Sequence, residues 1–212
     1  MDLKTKIYNF LSDELTKGNI DKSDNITEQY LVNNLEVSRT PIREALFQLA
    51  ADDILEKTPR KGYKFKKYSP EDIKNLYELI GILDGKIAYN VVDQLSEEDL
   101  SRMQFLIDSM NSAIKNKLYT TYNSLQNEFH NVYISKSTNS FLVSDLLHKK
   151  EIFIGKAYRQ VNEKKLHNLL LQTNEEHQKI LNLFKKRDSL KVRSYLENVH
   201  WNKNYALYDN WK

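Results

Sequence analysis

Residues 35–55 of this chain are LEVSRTPIREALFQLAADDIL. Apolar residues recur in this stretch at the spacing of one helix face, which predicts a core-facing stripe formed by Ile42, Ala45, Leu46 and Leu49. Ser38 stands at the predicted N-cap. Pro41 falls in the first turn, where a backbone N–H has no intrahelical acceptor to lose. We therefore predict a helix that begins directly after Ser38.

A second face of this helix carries positive charge. Arg39 and Arg43 lie one helical turn apart, with Thr40 beside them, near the predicted start of the helix. The second helix of a helix-turn-helix needs donors at this end, where they reach base edges in the major groove. An arginine pair on an arbitrary helix is more often solvated surface charge, which is the alternative for these two residues.

The residues around the arginine pair carry a family resemblance. The run SRTPIREAL at residues 38–46, followed by PRKGYKF at residues 59–65, resembles the winged helix-turn-helix of GntR-type transcriptional regulators. The resemblance implies that this domain binds double-stranded DNA and that the segment after the helix is a wing whose tip touches the duplex. The implied DNA contacts are Ser38, Arg39, Thr40, Arg43, Arg60, Lys61 and Gly62.

The flanking residues fit the same small domain. Apolar residues from Leu3 to Leu15 predict a first helix that ends at Gly18, and Thr27 is the predicted N-cap of a short second helix. After Leu55 the apolar period changes to two, which predicts a β-hairpin within residues 56–68 whose tip is residues 60–62. Six cations and no acid lie between residues 57 and 67, so positive charge is concentrated in this hairpin.

Composition bounds the rest of the chain. A length of 212 residues allows one large domain or two modest ones, and five Gly with three Pro indicate mostly helix. No apolar run approaches the roughly 18 residues of a membrane helix, and the start of the chain is too charged for a signal peptide, so we expect a cytoplasmic protein. The lack of cysteine excludes disulfides and thiolate metal sites. Because we find no nucleophile motif, phosphate loop or convincing acid–base pair, we expect no enzyme.

A second domain is predicted to begin at Ser69, which divides the chain into residues 1–68 and 69–212. Ser69 and Pro70 form a helix start, and seven segments with helical apolar spacing follow. The fourth segment reaches residue 158, and the fifth is a short helix at residues 166–170. A capping box at Thr173 and Glu176 is predicted to open the sixth. The last segment carries an inner face formed by Val192, Tyr195, Leu196 and Val199. The predicted fold class is mainly α, a winged helix-turn-helix followed by an all-helical bundle.

The second half is similar to the effector-binding domain, called FCD, of the FadR-like branch of GntR regulators. The similarity rests on Leu76-Tyr77-Glu78, Phe129-His130, Asn139, Glu176-His177 and Asp188. It implies a small-molecule effector, with small carboxylates, sugar acids and fatty acyl derivatives as the expected classes. Arg159 is a candidate partner for an acidic effector, and exposure to solvent is its alternative. A homodimer would present two recognition helices to two half-sites, which predicts an inverted-repeat operator.

Many members of that branch hold a divalent metal through an Asp and a His four residues apart and two further His. Carried over, the ligands are His130 and His177, with Gln126 in the place of the Asp. The third position falls on Val199, and His200 stands one residue later, rotated by about 100° on a regular helix. Such a site suits zinc, nickel or manganese. Three alternatives stay open: a pocket for an organic effector without an ion, a helical domain that only dimerises, and a metalloenzyme with an attached DNA-binding domain.

Overall fold

The computed structural model describes residues 2–153 and 162–207. These residues form two compact units, the first made of residues 2–69 and 148–153 and the second of residues 70–147 and 162–207. Arg159, the candidate effector partner, lies outside the described residues, as does the predicted end of the fourth helix at residue 158. No helix of the described chain is long and apolar enough to cross a membrane.

The first unit contains three helices and a hairpin of two antiparallel strands. They are α1 (Leu3–Lys17), α2 (Glu28–Leu35), α3 (Arg39–Ala51), β1 (Leu55–Thr58) and β2 (Gly62–Phe65). Helix α1 ends at Gly18, whose φ of 75° is left-handed, and the Thr27 hydroxyl caps α2 by accepting the Tyr30 N–H at 3.1 Å. Ser38 is the N-cap residue of α3. The predicted helix boundaries at these three residues are confirmed.

The apolar face of each helix closes one core in this unit. The fully buried residues at its centre come from all three helices and the hairpin: Ile7, Leu11, Leu31, Ile42, Leu46, Leu49, Leu55 and Phe65. The free edge of β2 pairs with Ile26, since the Tyr63 N–H donates to the Ile26 carbonyl at 2.9 Å. Gly62 has a φ of 95°, and a Cβ there would lie 2.5 Å from the Ile26 oxygen. The wing therefore requires glycine at this position for both conformation and space.

The second unit is all helical. Its helices are α4 (Pro70–Val91), α5 (Glu97–Lys115), α6 (Tyr119–Ile134), α7 (Ser140–Glu151), α8 (Glu163–Lys185) and α9 (Ser189–Tyr195). The last residues of α7, from His148 on, are counted with the first unit. Ser96 and Asp99 form a reciprocal capping box at the start of α5. Together with the first unit, this architecture confirms the predicted mainly α fold with one hairpin.

Helix α8 corrects the sequence prediction. A short fifth helix and a sixth opened by Thr173 were predicted, but residues 163–185 form one helix capped by the Asn162 side chain. The Thr173 hydroxyl donates to the Leu169 carbonyl at 3.0 Å, so it bonds inside the helix and starts nothing. The two predicted segments merge because their buried residues are in phase on a single face, from Leu166 and Leu170 through His177 to Phe184.

The end of the last helix also differs from the prediction. Helix α9 runs into a π turn at Leu196–His200, in which the Trp201 N–H donates to the Leu196 carbonyl five residues back at 3.0 Å. The extra residue rotates Val199 outward, where it is 37 % exposed, and turns His200 inward, where it is 9 % exposed. The predicted inward position of Val199 was therefore wrong, because the prediction assumed a regular helix.

Two glycines of α4 allow the π turn to approach closely. A Cβ at Gly81 would lie 3.1 Å from the Trp201 Cβ, and a Cβ at Gly85 would lie 2.9 Å from the Glu197 Cγ and 3.0 Å from the Arg193 carbonyl oxygen. Side chains at these positions would push the helices apart. The glycines thus bring the segment from Arg193 to Trp201 against α4.

Candidate functional site

Five of the seven predicted DNA-contacting residues line one groove of the first unit: Arg39, Arg43, Arg60, Lys61 and Gly62. Its volume is about 450 Å³, and its walls are the start of α2, the start of α3 and the hairpin. Five cationic side chains and one carboxylate line it: Arg39, Arg43, Lys57, Arg60, Lys61 and Glu28. Gly62 is also in its wall. Ser38 and Thr40 are exposed at the start of α3. The groove is thus a strongly positive concave surface beside an exposed helix N-terminus.

Both arginines of α3 are held by residues of α2. Arg43 donates to Glu28 through two nitrogens, with Nε 2.8 Å from Oε1 and Nη2 3.1 Å from Oε2. Arg39 donates to the Gln29 side-chain oxygen at 2.6 Å, and its Nε lies 3.8 Å from Glu28 Oε2. The Arg43 side chain is nevertheless 64 % exposed, so the pairing orients it without burying it.

The pairing changes the acidity of the carboxylate. The hydrogen bonds from Arg43, supported by its charge and that of Arg39, lower the pKa of Glu28 below its ordinary value. Glu28 therefore stays a carboxylate near neutral pH and sets a fork-to-fork geometry for the Arg43 guanidinium. Glu28 and Gln29 were not predicted from the sequence, because nothing in their own neighbourhood distinguishes them from other surface residues.

Three histidines meet inside the second unit. His130 on α6, His177 on α8 and His200 in the π turn are buried, and their candidate ligand nitrogens all lie within 4.8 Å of one another. His130 Nε2 and His200 Nε2 are 3.1 Å apart. The predicted set of histidines is thus brought together, and the π turn accounts for the place of His200.

Each of these rings has an oxygen beside its Nδ1. His200 Nδ1 lies 3.1 Å from Glu176 Oε2, and His177 Nδ1 lies 3.3 Å from Asn174 Oδ1. His130 Nδ1 lies 2.7 Å from the Tyr133 hydroxyl and 3.3 Å from Asp84 Oδ2. Carboxylate and amide oxygens accept hydrogen bonds from N–H donors. This arrangement therefore favours the tautomer with the proton on Nδ1 and the lone pair on Nε2.

The three residues fit a divalent metal by the chemistry of their donors. With every Nδ1 proton directed outward, the inward Nε2 lone pairs repel one another unless a proton or a cation lies between them. Two nitrogens bound tetrahedrally to one zinc ion at about 2.0–2.1 Å lie roughly 3.3 Å apart, close to the His130–His200 separation. The donor set is therefore suited to an imidazole-binding metal such as zinc or nickel.

The oxygen contacts around His130 form a buried network centred on Asp84 of α4. Asp84 is 0 % exposed, and it accepts from the Tyr133 hydroxyl at 2.5 Å and from the Trp201 indole N–H at 2.8 Å. Burial, together with the charge of Asp84, raises the pKa of Tyr133 well above its ordinary value, so this hydroxyl keeps its proton and donates.

Three partners of the histidine cluster were not predicted from the sequence. They are Asp84, Trp201 and, in its contact with His200, Glu176. Asp84 had a usable signal, since it stands between Ile80 and Ala88 in the apolar stripe of α4, where a charge is unusual. Gln126, the predicted replacement for the family's Asp, is half-buried on α6.

A positive groove beside an exposed helix N-terminus and a wing is typical of DNA-binding proteins, and the second unit adds a helical bundle with a buried histidine cluster. The sequence pattern described as "Bacterial regulatory proteins, gntR family" matches residues 3–65, and the pattern described as "FCD domain" matches residues 75–199. The chain belongs to the GntR family of transcriptional regulators and carries its FCD type of ligand-binding domain. It is a regulator rather than an enzyme.

Similar proteins are named as HTH-type transcriptional regulators. YdhC of Bacillus subtilis (strain 168), an uncharacterized HTH-type transcriptional regulator, is 28% identical over 150 residues, which cover 68% of this chain and 67% of the relative. YcbG of the same strain is 26% identical over 195 residues, 86% of this chain and 80% of the relative.

Solved structures share the fold. E. coli McbR/YncC superimposes with a TM-score of 0.80 at 19% sequence identity and covers 98% of this chain, with 97% of that chain matched. A GntR-type protein from Rhodococcus sp. RHA1 gives a TM-score of 0.69 at 17% identity, and the match covers 96% of this chain and 97% of that chain. At these identities the likeness supports the fold alone.

Proposed function

We propose that this protein is a homodimeric regulator that binds an inverted-repeat operator and whose affinity for that operator changes when a small acidic metabolite binds in the helical bundle. Residues 1–68 would be the DNA-binding domain and residues 69–212 the effector-binding and dimerisation domain. The observation that carries the DNA-binding part is the single groove shared by Arg39 and Arg43 of the recognition helix and by Arg60 and Lys61 of the wing.

The groove supports two kinds of contact. Arginines at the start of a recognition helix can donate two hydrogen bonds to the guanine edge, so Arg39 and Arg43 are the proposed base readers. Arg60, Lys61 and Gly62 of the wing, with Ser38 and Thr40 at the helix start, are proposed to contact phosphates and sugars, which position the protein without reading sequence.

The test is direct selection of DNA by the purified protein. Genomic fragments retained by the protein are sequenced, and a duplex carrying the common element is measured by fluorescence anisotropy against a scrambled duplex of equal length. We expect an inverted repeat whose half-sites are separated by about one helical turn, bound by two protomers. Equal affinity for the two duplexes would refute sequence-specific binding, and sedimentation of the complex gives the number of protomers.

For the helical bundle we propose that His130, His177 and His200 hold one divalent ion, with zinc, nickel or manganese as candidates and Gln126 as a possible neutral oxygen donor. A bound ion would supply a positive centre for the carboxylate of an effector. The chain's own contribution is to orient the three rings by contacts that hold their Nδ1 protons outward. These contacts come from Tyr133 and Asp84 at His130, from Glu176 at His200 and from Asn174 at His177. Arg159 stays a candidate for the effector's charge.

The second candidate function is an effector-independent DNA-binding protein whose helical domain only dimerises. A thermal-shift series with small carboxylic and sugar acids, with and without zinc, separates the two functions. A ligand that binds the folded state raises the melting temperature. An acid that does so and also changes operator affinity supports the regulated form, whereas a series without any shift favours the dimerisation module.

A further inference from the structure

The histidine cluster described above has an unusual distribution of charge. Its three chain-derived ligands are neutral imidazoles, and position 126, four residues before His130, holds a neutral glutamine. Two carboxylates stand farther out. Glu176 lies within hydrogen-bond distance of His200 Nδ1, and Asp84 lies 3.3 Å from His130 Nδ1 and is joined to it through the Tyr133 hydroxyl. The negative charge of this site thus lies behind the rings instead of among the ligands.

We infer that Asp84 is the anionic outer partner of the metal site, supplying through the His130 ring the negative charge that Gln126 does not bring to the ion. This inference rests on the proposed metal site and names a positioning residue for it. Asp84 comes from α4, which contributes no histidine, so the site would be built from four segments of the bundle.

The surroundings of Asp84 support this role. A carboxylate that is 0 % exposed is costly unless donors and positive charge compensate it. Tyr133 and Trp201 give it two neutral hydrogen bonds, at 2.5 and 2.8 Å, and His130 Nδ1 faces it at 3.3 Å. A dication bound to His130 Nε2 would polarise that ring and strengthen its Nδ1–H contact with Asp84.

The charge balance points in the same direction. A divalent ion with three neutral imidazoles carries a charge of plus two, and the carboxylates of Asp84 and Glu176 together carry minus two. The third ring, His177, faces the neutral Asn174. The two carboxylates would balance the charge of the ion inside the buried core. The remaining coordination positions would be left to water or an anionic ligand.

The experiment measures zinc affinity of the full chain by competition with a coloured chelator. We expect Asp84→Asn to weaken zinc binding by about 10–100-fold, the range found for outer-shell partners. Asp93→Asn, which removes an exposed carboxylate just after α4, should leave the affinity unchanged. Trp201→Phe removes one neutral donor but keeps the charge, so it should weaken binding less than Asp84→Asn. A loss as large as that of Asp84→Asn would assign the effect to packing and overturn the inference.

Cobalt spectra distinguish an outer partner from a direct ligand. The absorption bands of the cobalt-loaded protein should keep their shape in Asp84→Asn, because the ligands themselves are unchanged, and should change in His177→Ala. Altered bands in Asp84→Asn would overturn the outer position of Asp84.

A measurement on the unmodified chain does not depend on the folding of any variant. Zinc should shift the NMR cross-peak of the Trp201 indole N–H, which donates to Asp84 and is assigned by its loss in Trp201→Phe. A wild-type chain that binds no zinc refutes the proposed metal site itself. A wild-type chain that binds zinc without moving this cross-peak, or an Asp84→Asn variant with unchanged affinity, refutes the role of Asp84 alone.

Discussion

Arg43 and Lys61 line the same groove, but they belong to a helix and to a hairpin tip and should affect DNA binding differently. We expect Arg43→Ala to lose roughly 1–3 kcal/mol on the selected operator and little on scrambled DNA, because a base contact is removed. Lys61→Ala should weaken binding to both duplexes and lower the slope of log affinity against log salt by about one. Anisotropy titrations at several salt concentrations measure both effects. Equal losses of Arg43→Ala on both duplexes would contradict base reading.

The stability that the Glu28–Arg43 pair contributes should depend on pH. The pKa of Glu28 is lowered by Arg43, so the pair stabilises the folded state above the unfolded pKa, and that contribution is lost as the pH falls through the lower folded pKa. In Arg43→Ala the pKa of the Glu28 carboxyl should rise toward its ordinary value, because the largest cause of its lowering is removed. Carbon NMR titration of the Glu28 carboxyl measures this, with Glu14 followed in the same spectra as a control. An unchanged Glu28 pKa would show that the pair is absent in solution.

The arginines were predictable and their partner was not, for a physical reason. The positions of Arg39 and Arg43 follow from helical periodicity and from a run of adjacent residues, which are local properties of the sequence. Glu28 lies fifteen residues before Arg43, and only the packing of α2 on α3 brings them together. Asp84 and Trp201 are 117 residues apart, so the same limit applies to the outer contacts of the histidine cluster.

Among the helices of the second unit, α4 packs closely against its neighbours at Gly85. Gly85→Ala gains helix propensity of about 1 kcal/mol, but its Cβ would meet the Arg193 carbonyl oxygen at 3.0 Å. Because overpacking a core typically costs about 1–3 kcal/mol, we expect a net loss of stability. Urea unfolding measures it, with the exposed Asn90→Ala on the same helix as control. A Gly85→Ala chain more stable than wild type would show that α9 moves away at little cost.

The π turn should tolerate the loss of one residue but not the addition of one. It accommodates one residue more than an α-helix would, and the exposed Val199 occupies the outward position. Deletion of Val199 should restore a regular helix, leave His200 facing the other histidines and retain zinc binding. Insertion of an alanine directly after Val199 should abolish zinc binding, because the turn cannot absorb a further residue. Competition with a chelator measures the zinc affinity of both variants. Loss of zinc affinity in the deletion variant would contradict this account.

Element boundaries were predicted well where capping chemistry is local and poorly where it is ambiguous. Gly18, Thr27 and Ser38 lie at the helix ends predicted for them, since a helix end depends on residues within one turn. Thr173 has the sequence of a capping residue but lies on a helix whose buried face continues on both sides. Tertiary packing decides whether such a residue starts a helix or lies inside one. The π turn has no comparable local signal, so the direction of His200 became evident only in three dimensions.

For the whole molecule, metal removal should lower the stability of the folded chain. Free zinc at about 100 times its dissociation constant should stabilise it by about 2.7 kcal/mol, and excess chelator should remove that gain. Calorimetric melting with zinc and with chelator measures the difference. His177→Ala removes a fully buried ligand and should melt at the same temperature under both conditions. A wild-type melting temperature that is unaffected by the chelator would contradict metal binding by the fold.

The extra residue in the last turn also affects how relatives are compared. The family resemblance places the third histidine at Val199, so a gapless alignment on that pattern would count this ligand as lost. The imidazole of His200 is buried beside the other two all the same. A one-residue gap within residues 196–200 restores the correspondence. When metal-binding FCD domains are counted from an alignment, the neighbouring column should therefore be checked for a histidine before a chain is excluded.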